Sequence, residues 1–498
     1  MCYAMNKFRS LSICALLILT IWNLNPNRSF AQEVLTLQRA IELGQNESPR
    51  AEEIRSQRRG SAYDYTAFKA SLYPRMAITA DAPGYFQSIN PITQPDGSLQ
   101  FIEQEQAEVS GGLEIRQPIT WTGGTLNLST GLNRVYVYDD ASESWNNFWQ
   151  STPLVVGFNQ PLFQYNPYAW SLKLEPLRNE VSAKRFVEDM ERLALTVTQR
   201  FFDVYIAKMN RENAAFNVGV NDSIYTISKG RFQVGKIAEN DLLQTELALL
   251  NAQTSLQNAE LDYQKAMRNL KLQLGIPESE PIQIDDPEQL PFINIDLEMA
   301  FRLAQENSSF LIETRLQEMQ AERNLDQVEA NTGVQANLTA NYGLNRTADD
   351  FGNLYSDLSN RTFFTVGLEF PIFDWGAQRA EVQAAQERSK EANLRFTEDR
   401  KQYQIDVEYQ VREFALQQNQ LKIAAKSDTV AQRRYDLARK RYLIGKVDIT
   451  NLQIAQQEKD RARLGFIQSL RNYWTAWYEL RRITLFDFLD DRPITYMY

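Results

Sequence analysis

Apolar and polar residues alternate with period two in several separate stretches of this chain. In 338–344 one face carries Leu338, Ala340, Tyr342 and Leu344, and the other carries Asn337, Thr339, Asn341, Gly343 and Asn345. Val366, Leu368, Phe370 and Ile372 repeat the pattern, and it recurs in Val109, Gly111, Leu113 and Ile115 and in Leu126, Leu128, Thr130 and Leu132. Such alternation marks strands with one apolar and one polar face. Strands are expected near 76–86, 108–119, 125–137, 154–163, 336–345 and 364–373, and Thr120 to Gly124 reads as a turn. Elsewhere the period lengthens. Phe186, Met190, Leu193, Val197, Phe201, Val204 and Lys208 step by three and four, as do Tyr403, Val407, Val411, Phe414, Gln418 and Leu421. These are long helices packing along neighbours.

A heptad runs through Leu242, Leu249, Leu256, Tyr263 and Leu270, with Thr245, Ala252, Ala259 and Ala266 three residues after the first four. It returns 210 residues later as Leu452, Lys459, Phe466, Tyr473 and Leu480, with Ala455, Ala462, Ser469 and Ala476. Small residues at one seam position let helix axes approach closely.

The heptad is one sign of a duplication. Leu35 to Ala40 matches Ile295 to Ala300 at a shift of 260, and Val156 to Phe163 matches Val366 to Phe373 at a shift of 210. The difference places 50 extra residues in the first copy, between Asp81 and Val156, which read as an additional β-hairpin. Each half therefore reads helix, strands, long helix, turn, long helix. A soluble sandwich gives the same strand pattern. Six strands cannot close a membrane barrel, which needs at least eight, but six per chain in a symmetric trimer can, and so can the four that the duplication alone supplies, with the extra hairpin then folding outside the wall.

Composition narrows the chemistry. Lys7 and Arg9, an apolar run from Leu11 to Trp22 and the small residues around Ala31 read as a secretory signal over 1–31. It holds both cysteines, Cys2 and Cys14, and three cations without an acid, so cleavage takes the net charge from -10 to -13. The chain has no histidine. Histidine- or cysteine-based nucleophiles, and histidine or thiolate metal sites, are thus absent from the expected mature chain. No cofactor is expected, and the scattered carboxylates read as solvated helix surface. The acidic balance argues against nucleic acid. No later stretch approaches a membrane helix, so any membrane contact must use strands.

One motif occurs once per half: Arg231-Phe232-Gln233-Val234-Gly235-Lys236-Ile237 and Arg441-Tyr442-Leu443-Ile444-Gly445-Lys446-Val447. Each glycine should end a helix in a left-handed turn, with Asn240 and Thr450 as caps of the helices that follow. At least, these are helical hairpins.

With the duplication, the signal and Gln160-Pro161-Leu162-Phe163 ending a strand, these hairpins resemble the TolC-type outer-membrane efflux proteins. The resemblance covers the mature chain. It implies an α+β membrane protein built from a duplicated helix-strand-strand-helix-turn-helix unit. A trimeric transmembrane β-barrel in the outer membrane of a Gram-negative bacterium would be continued by a long periplasmic α-helical barrel. The divisions would be a signal over 1–31, first helices over 32–74 and 295–335, and barrel strands over 75–165 and 336–375. Long helices with a tip hairpin would occupy 166–294 and 376–498. The homotrimer would be a non-enzymatic channel of a tripartite system. Gly235, Lys236, Asn240, Asp241, Gly445, Lys446, Thr450 and Asn451 would form the tip that docks a periplasmic adaptor of an inner-membrane pump. Family members carry acidic rings and an arginine link in the second hairpin. Here Asp448 is the only charge from Val447 to Ile454, so an arginine-based lock is not expected. The alternative function is a secreted or surface helical scaffold without a conducting lumen.

Overall fold

A computed structural model describes residues 33–139, 143–288 and 290–497, so the signal expected over 1–31 lies outside the described residues. The chain divides into two compact units. One holds residues up to Glu52 with Leu193–Ile293 and Leu416–Tyr478; the other holds Glu53–Arg192, Asn294–Ala415 and the chain from Glu479 onward.

In the first unit β1 (Glu33–Leu35) pairs in parallel with β6 (Ile282–Ile284). Thr36 caps α1 (Leu37–Glu47), its hydroxyl accepting from the Arg39 amide at 3.2 Å. Gly44 on α1 meets α3 (Pro167–Gln233) so closely that a Cβ there would stand 2.6 Å from Val197. The α3–α4 hairpin continues in α4 (Glu239–Leu274), and α7 (Ala377–Leu443) with α8 (Ile449–Thr484) forms its counterpart. The small seam residues Thr245, Ala252 and Ala259 are buried, as are Ala455 and Ala476. The segment after β6 is strapped to the helices: the Tyr473 hydroxyl donates to the Pro291 carbonyl at 3.1 Å and the Trp474 indole to that of Glu288 at 3.0 Å.

The second unit is built on one antiparallel sheet of six strands in the order β2-β3-β4-β5-β7-β8. These are Arg75–Thr93, Leu99–Ile119, Gly124–Asp139, Ser144–Leu162, Gln335–Ala348 and Ser359–Glu369. The inserted pair β3–β4 enters the sheet between β2 and β5, where the second copy joins its two strands directly. The last strand stops at Glu369 rather than near 373, opposite Gln335, where its partner β7 begins. Helices α2 (Pro49–Ser71), α5 (Leu297–Asn307) and α6 (Phe310–Asn331) flank the sheet segments in sequence. Asp296 caps α5 at the position where Thr36 caps α1, accepting from the Met299 amide at 2.8 Å. So the duplication preserves a cap as well as a pattern.

This unit also ties its C-terminal end. Glu191 is fully buried and receives two bonds from Arg481, at 2.9 and 3.1 Å, while Asp487 pairs with Arg481 and the Tyr496 hydroxyl donates to Glu191. The paired charges compensate a burial that a lone carboxylate could not sustain. Phe310 stacks on Tyr403 at 4.1 Å, and burial pushes the Tyr403 phenol up to about 12.

Candidate functional site

The register separates the residues of the sheet by face. Leu128 lies opposite Ile115 and Val156, and Val156 opposite Tyr342, which carries the apolar face across four strands. Leu338 and Val366 extend it to the edge. On the other face Ser129 lies opposite Glu114 and Val155, and Gly157 opposite Asn127 and Asn341. Asn159, Thr339, Asn337 and Thr365 make that face predominantly polar. The apolar face stays open to its surroundings: Ile78 is 82% exposed and Leu368 72%. At the margin nearest the helices stand Tyr73, Trp121, Phe163, Phe373 and Trp375, all exposed. Among the described residues the outer edges of β2 and β8 have no partner strand.

In the first unit both glycine turns adopt the conformation their sequence demands. Gly235 has φ +70 and Gly445 +74, and a Cβ at either would meet nothing within 4 Å. The Gly235 amide donates to the Phe232 carbonyl at 2.8 Å and the Lys236 amide to that of Arg231 at 2.9 Å. The second hairpin repeats both bonds, Gly445 to Tyr442 and Lys446 to Arg441, at 2.9 Å each. Lys236, Asn240, Lys446, Thr450 and Asn451 are exposed and Asp241 is half-buried. Val234 and Ile444 project into solvent.

The expected caps are corrected. Asn240 and Thr450 lie inside their helices, one position past the first residue of each. The first helix begins after Ala238, whose extended backbone offers no side-chain acceptor. In the second hairpin Asp448 does the capping, accepting from the Asn451 amide at 2.7 Å and the Asn451 side chain at 3.0 Å. The one acidic charge of that turn is thus committed to its own helix start.

The structure brings the two hairpins side by side. The Arg231 guanidinium sits 5.6 Å from the centre of the Tyr442 ring. Behind it Val220 and Ile224 pack with Tyr435, Tyr442, Ile449 and Leu452. Sequence reading named neither contact, although Arg231 and Tyr442 both belong to the repeated motif. Further along the seam Lys459 is buried where the first copy has Leu249. Its ammonium lies 3.1 Å from the Asn213 side-chain oxygen and 2.9 Å from Asp460, between the rings of Phe216 and Tyr435. Burial raises the Tyr435 phenol, whose hydroxyl has no hydrogen-bond partner.

No helix among the described residues is long and apolar enough to cross a membrane, which says nothing of strands. A family model described as outer membrane efflux protein matches residues 125–276 and 300–484, about two thirds of the chain. The chain belongs to the outer membrane efflux protein family. The two matched segments fall one in each half of the duplication. A comparison with curated proteins gives no match. Among solved structures, the Campylobacter jejuni CmeC outer membrane channel superposes with a TM-score of 0.64 at 15% identity, over 90% of this chain and 85% of that one. The outer membrane protein VceC of Vibrio cholerae gives 0.63 at 12% identity, over 90% and 95%. The Neisseria gonorrhoeae MtrE outer membrane channel gives 0.57 at 14%, over 90% and 88%. These likenesses establish the fold, that of TolC-like channels. Outer membrane efflux proteins are channels rather than enzymes, and this chain is one of them.

Proposed function

We propose that three copies close the six-stranded sheet into an eighteen-stranded barrel across the outer membrane, a passive duct for export. The observation that carries this reading is the sheet itself, apolar and exposed on one face, polar on the other, with two unpaired edges. In lipid each unsatisfied backbone group costs several kcal/mol, so an open sheet is not viable and closure through neighbouring copies removes both edges. The monomer is therefore unstable in the membrane and the trimer obligatory. Apolar residues then meet lipid while the Asn, Ser and Thr face lines water.

In this reading 75–165 and 336–375 supply the wall, with 32–74 and 295–335 leading into it. Residues 166–294 and 376–498 supply a helical duct in the periplasm. The hairpins at Gly235 and Gly445 form its tip, six per trimer, and dock a periplasmic adaptor serving an inner-membrane pump. Lys236 and Lys446, beside the helix-end carbonyls, face that partner together with Asn240, Asp241, Thr450 and Asn451. A wide duct lined by amides and hydroxyls selects little, so substrate choice rests with the pump.

Single-channel conductance in a planar bilayer tests the duct. Reconstituted trimers should give discrete, long-lived openings, whereas a scaffold without a lumen would leave the bilayer closed. Cross-linking from position 236 or 446 to a co-expressed adaptor tests the tip.

A further inference from the structure

Past Leu132 on β4 and Leu344 on β7 the apolar rows of the sheet end in arginines, Arg134 and Arg346, on the same face. Across β5, Arg134 lies opposite Trp149 and Arg346 opposite Ser151. The Arg134 guanidinium is 5.0 Å from the Trp149 ring centre and 5.1 Å from that of Tyr136, and one of its amines donates to Asn147 at 3.4 Å. Arg346 donates to the Asp357 carbonyl at 2.9 Å. The loop after β7 folds onto this face. Phe351 packs edge-on against Trp149 at 5.2 Å, and the Leu354 carbonyl accepts from the Ser151 hydroxyl at 3.0 Å.

Neither arginine forms an ion pair among the described residues, and the Nε of each is buried without a hydrogen-bond partner. Two half-buried guanidinium groups on one face, with no carboxylate partner among the described residues, suit an anion supplied from outside the chain. We propose that Arg134 and Arg346, with Trp149 between them, bind the phosphate of an outer-leaflet lipid headgroup, one site per chain. This rests on the duct reading, in which the apolar face meets lipid.

Position selects that source. Gly124 to Arg134 is eleven residues, and a tilted strand crosses the hydrocarbon in about 9–11. Tyr136, Tyr138, Trp145 and Trp149 accordingly form the girdle expected where headgroups begin. A guanidinium fork matches two phosphate oxygens, and an aromatic ring beside it suits a sugar or acyl shoulder.

Native mass spectrometry of detergent-solubilised trimers, titrated with diphosphoryl lipid A, reads the site. Wild type should retain the lipid, and R134Q/R346Q should bind it about tenfold or more weakly. R134K/R346K, which keeps charge but loses the fork, should fall between. Dephosphorylated lipid A and inorganic phosphate should not displace the bound lipid. Equal retention by the glutamine variant, equal binding of the dephosphorylated lipid, or displacement by inorganic phosphate would overturn the site. Trimer mass and bilayer conductance of R134Q/R346Q, both expected unchanged, exclude misfolding. Failure of the duct reading shows separately, as wild type that neither trimerises nor conducts.

Discussion

Leu128→Arg and Ser129→Arg put the same charge on adjacent residues of β4 and on opposite faces of the sheet. Leu128 stands among Ile115 and Val156, while Ser129 stands by Glu114, which already pairs with Arg116 at 2.9 Å. Depth sets the cost. Leu128 is four residues beyond Gly124, where β4 begins. At ~3.3 Å per residue and a tilt of ~40°, that is ~10 Å into an apolar band ~25 Å tall. Arginine on the lipid face costs ~2–4 kcal/mol at the midplane and ~0–1 at the interface, so about 2 kcal/mol per chain is expected here. That is ~30-fold in the folding equilibrium, and about 6 kcal/mol for three distant copies acting independently. Ser129→Arg reaches water and a carboxylate and should stay within about 0.5 kcal/mol of wild type. Denaturant unfolding of trimers in lipid vesicles, followed by tryptophan fluorescence, measures both. Equal losses in the two variants, or an undisturbed Leu128→Arg trimer, would refute the assignment of faces.

Replacing Gly235 and Gly445 together by valine should strain each turn by about 1 kcal/mol or more, since both have positive φ and no neighbour to clash with. Trimers should still insert, while export and adaptor cross-linking are lost; surviving export would show that the hairpins are only structural. Lys459→Leu restores the residue type of the first copy at a buried seam position. It should be neutral or stabilising by about 1 kcal/mol in chemical denaturation, and a loss above about 2 kcal/mol would show that the Asn213 contact is required. Burial holds the phenols of Tyr403 and Tyr473 at about 12 against 10.0 for a free phenol. The folded state therefore keeps protons that the unfolded chain releases, so this contribution is full below pH 10 and lost as pH rises toward 12. Tyr403→Phe/Tyr473→Phe should flatten the alkaline fall in melting temperature; an unchanged slope would place its cause elsewhere.

What sequence could and could not supply follows from the range of each interaction. Period-two alternation assigned Leu338 and Asn337 to opposite faces because a strand fixes that choice locally. The duplication gave both glycine turns, since a left-handed residue after a long helix has few occupants other than glycine. The caps failed by two residues: Asn240 and Asp448 are both good cappers, but only backbone dihedrals say which residue precedes the first helical one. Lys459 was visible as an odd member of a heptad, yet Asn213 is 246 positions away.

The arginine pair was hidden for a further reason. Arg134 and Arg346 each continue an apolar row, so period alone classes them as ends of a strand. Only register, through Trp149 and Ser151 on the strand between, places them on one patch of one face. Register also exposes what a pattern cannot, two cations on one face, one of them beside aromatic rings, with no carboxylate partner among the described residues. A charge left unpaired at the margin of an apolar surface is costly unless something outside the chain answers it. At that depth on a lipid-facing wall the available anion is a headgroup, which makes bound-lipid retention in R134Q/R346Q the sharper test of how this sheet meets its membrane.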